Sequence, residues 1–265
     1  MTMKNDDGDD GGDGGGGGHI VAMGGGGFLM EPDNTLLDDF VLSLSMRQPA
    51  RVCFLPTASG DSAYQLVNFY RAFSLRALAT DLMLFGYSGV RRNPKNSSAI
   101  AAHLAAQDVI YVGGGNTANA LALWRVHGVD VALRDAWRAG AVLCGVSAGM
   151  LCWFEGGCTD SFGDVAALRD GLGFLAGSAC PHYDGEPTRR PTYQRLVAGG
   201  LPGGVAADDG AAFHFAGRRL VEVVSSRPDA AGYRVELRAG VVVEEKLATR
   251  FLGASVSDAG TGSGT

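Results

Sequence analysis

Five short apolar runs, separated by stretches with helical spacing, constrain this chain more than any other feature. They lie at His19–Met23, Arg51–Leu55, Asp81–Phe85, Asp108–Val112 and Ala141–Val146. Apolar residues on consecutive positions are what a strand needs when both of its faces are covered. Between the runs, Ser62 can cap a helix through Leu66, Val67 and Tyr70, and Ser97-Ser98 can open another through His103 and Leu104. Thr117 to Val126 forms a third, and Asp130 to Arg138 a fourth that ends before Gly140. This alternation predicts an open, mostly parallel, doubly wound α/β sheet. After residue 205 the texture changes. Ala211–Phe215, Arg219–Ser225, Gly232–Leu237 and Val241–Glu244 are short runs between turn residues, and Tyr233-Arg234-Val235-Glu236 alternates polar and apolar. That pattern predicts a C-terminal antiparallel extension with one wet face.

The ends read differently. Residues 2–18 are nearly all Asp, Gly and Asn and offer no apolar area to offset chain entropy. The expected organisation is a Gly/Asp-rich tail over 1–18, one α/β domain over 19–254 and a flexible tail over 255–265. A net charge of −6 without a basic stripe argues against nucleic acid as a partner. No apolar run is long enough to span a bilayer, and no secretory leader pattern opens the chain, so a cytoplasmic protein is expected. The five cysteines lack paired zinc spacing and read as buried thiols, with no metal.

The strongest chemical signal is Gly145-Val146-Ser147-Ala148-Gly149, placed between a buried strand and an apolar helix start. A serine on that turn faces the crevice where open α/β sheets bind ligands, and a helix N-terminus beneath it favours developing negative charge. Gly113-Gly114-Gly115-Asn116-Thr117 also follows a strand and opens a helix; its N–H groups suit an anion or an oxyanion. Neither it nor Gly24–Gly27 has phosphate-loop or dinucleotide spacing, so no cofactor is expected. A serine nucleophile needs a base. His19 starts a strand, His103 and His127 lie on helices, and His214 sits in an alternating strand. His182, in the loop Cys180-Pro181-His182-Tyr183-Asp184, is the preferred base. The carboxylate orienting it is either Asp160 or Asp209, and both also suit plain turns.

Taken in order and spacing, Gly113–Thr117, Gly145–Gly149 and Pro181-His182 resemble the peptidase E family, which contains the aspartyl dipeptidases and has cyanophycinases as relatives. The resemblance covers roughly residues 20–225. It implies a fold like the class I glutamine amidotransferases, with serine in place of the cysteine nucleophile, and hydrolysis of short peptides through an acyl-enzyme. By position, Ser147 would be the nucleophile and His182 the general base. The N–H groups of Gly114 or Gly115 and of Ala148 would form the oxyanion hole. Asp160 matches one acid position of the family and Asp209 the other; Asp160 is preferred, with both expected near the site. An arginine downstream of the histidine would hold an N-terminal Asp, and Arg189-Arg190 occupies that region. The loop from His182 to this pair is shorter than in the aspartyl dipeptidases, which puts Asp specificity in question. Cyanophycin or isoaspartyl-peptide hydrolysis, esterase activity, and a non-catalytic ligand-binding role are the alternatives. The expected assembly is a monomer or homodimer.

Overall fold

The computed structural model describes residues 17–85 and 97–253. The amino-terminal half runs β1 (His19–Met23), α1 (Gly27–Met30), α2 (Leu36–Ser43), β2 (Arg51–Leu55), α3 (Ala63–Phe73) and β3 (Leu78–Asp81). It continues with α4 (Ser97–Ala105), β4 (Val109–Val112), α5 (Thr117–His127), α6 (Val129–Arg138) and β5 (Val142–Val146). Next come α7 (Ala148–Leu151), β6 (Phe154–Thr159), β7 (Ala166–Leu168), β8 (Leu175–Cys180) and α8 (Arg189–Ala198). The chain closes with β9 (Gly204–Ala207), β10 (Ala211–Ala216), β11 (Arg219–Ser225), β12 (Gly232–Arg238), β13 (Val241–Lys246) and β14 (Thr249–Phe251).

The first sheet is ordered β14-β11-β10-β1-β5-β4-β2-β3, with β1, β5, β4, β2 and β3 all parallel. Alternation within each apolar run splits the core in two. Ile20, Cys53, Ile110 and Leu143 pack with Leu104, Trp124 and Leu133 of α4, α5 and α6. Val21, Phe54, Tyr111 and Cys144 pack with Phe28, Leu37, Phe69 and Phe73 of α1, α2 and α3. Helices on both faces explain why these strands carry no polar alternation. Burying one large side chain of this kind contributes roughly 1.5–3 kcal/mol.

Two local expectations change. The run Asp81–Phe85 is not a strand: pairing is made by Leu78–Asp81 instead, at the sheet edge against β2. An edge strand need cover only one face, so it lacks the continuous apolar signature; Leu82, just past it, is buried. Gly18, read as the end of the tail, donates its N–H to Trp137 O and accepts Trp137 Nε1–H at 3.0 Å. The remaining tail residues, 1–16 and 255–265, lie outside the described residues.

The larger departure is a second sheet, ordered β13-β12-β9-β8-β6-β7. The C-terminal extension is therefore divided. β10 and β11 run antiparallel in the first sheet, while β12 and β13 run antiparallel in the second. Strands β6 and β8 pair in parallel. Their sequences, FEGGCT and LAGSAC, are poor in the branched and aromatic residues that mark strands. Their small residues admit close neighbours: a Cβ on Gly157 would fall 2.3 Å from Leu151 Cδ2. Helix α8 covers the outer face of this sheet through Tyr193 and Val197, packed with Cys158, Cys180 and Val235.

Candidate active site

Three glycine-bearing turns leave the carboxyl ends of the adjacent strands β1, β5 and β4, and Ser147 occupies the middle one. Its backbone is at φ 58, ψ −106, the left-handed side of the map, which a side-chain-bearing residue adopts only when its surroundings force it. The flanking glycines make the turn possible by close approach. A Cβ on Gly145 would lie 2.6 Å from Gly149 O, and one on Gly149 would lie 2.3 Å from Val112 O. The Ser147 N–H donates to Met23 O at 3.1 Å, which ties the turn to the end of β1. The helix after it, α7, is a single turn before the chain enters β6. The helix start expected after the serine is present but short, and one turn carries little macrodipole.

The β4 turn stands beside this serine. A Cβ placed on Gly114 would be 3.6 Å from Ser147 Cβ. Gln65 Nε2–H donates to Gly114 O at 3.2 Å, and Asn116 Oδ1 caps α5 by accepting Asn119 N–H at 2.9 Å. Among the described residues, the N–H groups of Gly114, Gly115 and Ala148 take part in none of the backbone hydrogen bonds of the turns and loops.

His182 follows β8 and is likewise at positive φ, 55. Its Nδ1 lies 2.6 Å from Asp209 Oδ1, and both side chains are 15 % exposed. Asp209 sits in the turn between β9 and β10. There its N–H donates to Asp184 Oδ1 at 2.8 Å, and Gly25 forms a bridge to it. Burial would raise the Asp209 carboxyl, but the His182 hydrogen bond, the His182 charge and the Arg227 guanidinium hold it below the usual carboxylate range. Its neighbour Asp208 faces elsewhere, accepting from Ala231 N–H at 3.0 Å and from the Tyr233 hydroxyl at 3.3 Å. Gly25 lies two residues after Met23, so β1 connects the serine turn to the Asp209 turn.

Asp160, the preferred acid from sequence, is not against the imidazole. It lies just past the end of β6 with its side chain 60 % exposed, 3.6 Å from Arg189 Nη2. The next residue explains its position: Ser161 O accepts Asn116 Nδ2–H at 2.9 Å and Ser161 Oγ accepts Ala118 N–H at 3.2 Å, which docks this loop onto the start of α5. The two candidate arginines are both engaged within the chain. Arg189 is buried and holds Glu186 through Nε at 2.9 Å and Nη2 at 2.7 Å, with Nη1 donating to Cys158 O at 3.3 Å. Arg190 grips Glu244 with Nε and Nη2 and lies over the Tyr183 and Tyr233 rings.

The Gly24–Gly27 loop is the part whose role the sequence did not disclose. Its glycines make room for the Asp209 carboxylate: a Cβ on Gly25 would fall 2.0 Å from Asp209 Oδ1. A glycine run too irregular for phosphate was the available signal. Gly25→Ala is expected to lower kcat/KM by about 100-fold, because a misplacement near 1 Å is enough for that loss. The check is a rate assay beside a melting curve; unchanged kcat/KM would show that Asp209 tolerates displacement.

Among the described residues, no group of three or more His, Cys, Asp or Glu side chains could hold a metal ion. All five cysteines are free and buried. No described helix is long and apolar enough to cross a membrane.

A strained serine at the carboxyl edge of a parallel α/β sheet, with a carboxylate-bound histidine on the loop after β8, fits a hydrolytic class of enzyme. The chain belongs to peptidase family S51, whose model matches residues 20–223. It is similar to the uncharacterized peptidase YgaJ of Bacillus subtilis (strain 168), with 50 % identity over 236 residues, covering 88 % of this chain and 99 % of the relative. Among solved structures it resembles a peptidase from an acI-B1 actinobacterium, with a TM-score of 0.57 at 17 % identity, over 89 % of this chain and 96 % of that one. It also resembles a candidate peptidase E protein from Listeria monocytogenes EGD-e, with a TM-score of 0.50 at 18 % identity, over 88 % and 100 %. The fold is thus a peptidase E-type α/β fold, and the protein is a peptidase.

Proposed function

We propose that this peptidase hydrolyses short peptides by serine catalysis, with Ser147 as nucleophile, His182 as general base and Asp209 orienting the imidazole. The observation that carries the reading is the His182 Nδ1–Asp209 Oδ1 contact at 2.6 Å, on a turn bridged to Gly25, two residues after the Met23 carbonyl that accepts the Ser147 N–H. With Nδ1–H donated to Asp209, the other ring nitrogen is left to accept a proton. Ser147 Oγ attacks the peptide carbonyl carbon as His182 takes the hydroxyl proton. The carbonyl oxygen becomes an oxyanion facing the N–H groups of Ala148 and Gly114 or Gly115. The imidazolium then protonates the leaving amine as the C–N bond breaks, giving an ester on Ser147. A water, deprotonated by the same imidazole, hydrolyses that ester and restores the serine. The five free thiols suit a reducing compartment, the cytoplasm.

An N-terminal Asp would have to displace Asp160 from Arg189, since both arginines already hold internal carboxylates. A strong preference for acidic residues is therefore not expected. A panel of Ala-X, Leu-X and Asp-X dipeptides, β-linked Asp peptides and simple esters tests this. The reading predicts that α-linked dipeptides turn over and that Asp-X gains less than about tenfold in kcat/KM over Ala-X, under 1.4 kcal/mol of discrimination. Turnover of β-linked peptides or esters alone would overturn it.

A further inference from the structure

Behind Asp209 lies an ion pair that the reaction as written does not use. Arg227 Nε donates to Glu31 Oε1 at 2.5 Å, and Glu31 Oε2 accepts the Ser226 hydroxyl at 2.9 Å. The Glu31 side chain is only 12 % exposed, whereas that of Arg227 is 43 % exposed. Both partners press on the two turns that hold Asp209. A Cβ on Gly26 would lie 3.0 Å from Glu31 Oε2, and one on Gly210 would lie 2.9 Å from Arg227 Cγ. Ser226 N–H donates to Gly210 O at 2.8 Å, which places the arginine one residue from the anchor of the Asp209 turn.

We propose that Glu31 and Arg227 are a positioning pair for Asp209: Arg227 supplies a positive field at the carboxylate, and Glu31 prevents that guanidinium from taking the carboxylate away from His182. The inference rests on the serine-triad reading above. The geometry supplies the reason for both halves. A guanidinium next to a carboxylate is a better bidentate partner than an imidazole, so an untethered Arg227 competes with His182 for Asp209. Tethered through Nε to Glu31, it acts on Asp209 through its charge. The charged groups facing Asp209 are His182, Arg227 and Asp184, while Asp208 is turned toward Ala231 and Tyr233. Removing the Arg227 charge takes away one of the groups that hold Asp209 ionised beside the imidazole.

A structural brace and a tether against competition predict different outcomes for a double substitution. The readout is the rate at which a fluorophosphonate labels Ser147 from pH 5 to 10, with a melting curve for each variant. Glu31→Gln should slow labelling by about tenfold, the loss expected of coupled contacts in one network. Glu31→Gln with Arg227→Gln should label faster than Glu31→Gln alone, because the competing guanidinium is gone. Arg227→Gln alone should slow labelling less than Glu31→Gln does, because no guanidinium is left to compete for Asp209. Arg227→Lys, which keeps the charge, should label faster than Arg227→Gln. Losses that simply add in the double variant, or Arg227→Lys no faster than Arg227→Gln, overturn the proposal; the second criterion decides if Glu31→Gln fails to fold. Wild-type protein that the probe does not label at Ser147 overturns the triad reading itself, and this inference with it. Labelling with additive losses overturns the pair alone.

Discussion

Ser147→Ala lowers kcat/KM by at least about 10⁴-fold while the protein still melts cooperatively, and Ser147→Gly loses as much activity yet melts at a higher temperature. The first half follows from removing the attacking oxygen, since neighbouring groups cannot replace it. The second half follows from the backbone. Ser147 is held at φ 58, a conformation costly for any residue with a Cβ and nearly free for glycine. Alanine keeps that strain, so its melting temperature stays close to the parent value. Glycine relieves about 1 kcal/mol, worth roughly 2–4 °C in a domain of this size. A dead but more stable variant is a signature of strain stored at a functional position. If Ser147→Gly melted lower than Ser147→Ala, the strain argument would fail; if Ser147→Ala still hydrolysed its substrate, so would the nucleophile.

Asp38→Asn is expected to stabilise the protein by about 4 kcal/mol at pH 8 and by almost nothing below pH 4. Asp38 is buried at 1 % exposure on α2 and belongs to the layer that packs Tyr111 and Cys144. Burial pushes its carboxyl from 3.8 up to about 7, against opposing help from Arg76, the Phe28 N–H and the Tyr111 hydroxyl. The sign is fixed by which state holds the proton. Below pH 3.8 both states are protonated and the group is neutral to stability. Between about 4 and 7 the unfolded chain ionises while the folded one keeps its proton, so stability falls as pH rises. Above 7 the full penalty is present; the gap at about 1.4 kcal/mol per unit gives the figure quoted. Asparagine removes the ionisation and keeps the shape. Urea unfolding of both proteins at pH 4 and pH 8 is the check. A stability difference between them that does not change with pH would show that Asp38 keeps an ordinary carboxyl in the fold.

Much of the first sheet was legible because its strands are buried on both faces. His19–Met23 and Arg51–Leu55 form strands over those very residues, and Ser62 does cap α3, accepting Gln65 N–H. In the second sheet the antiparallel pair β12–β13 was legible, but the parallel strands were not. Phe154–Thr159 and Leu175–Cys180 are Gly-, Ala- and Ser-rich because neighbouring backbone and side chains approach them closely, and that need erases the apolar signature. The site divides in the same way. The strand–turn–helix setting of Ser147 and the loop position of His182 could be read locally. Which aspartate faces His182 could not, because Asp160 and Asp209 lie in equally turn-like sequence. What separates them is tertiary: Arg189 and the Asn116–Ser161 contacts hold the Asp160 loop, while Gly25 clears space for the Asp209 carboxylate. The partners of the two arginines were hidden for a related reason, since Glu186 and Glu244, which pair with them, are distant or inconspicuous in sequence.

The most direct test of the account is to locate the adduct left by a fluorophosphonate on the intact protein and on His182→Ala by peptide mass spectrometry. The account predicts one adduct, on Ser147, whose formation slows by orders of magnitude without the imidazole. An adduct on any other residue, or labelling of Ser147 at an undiminished rate in His182→Ala, would contradict it.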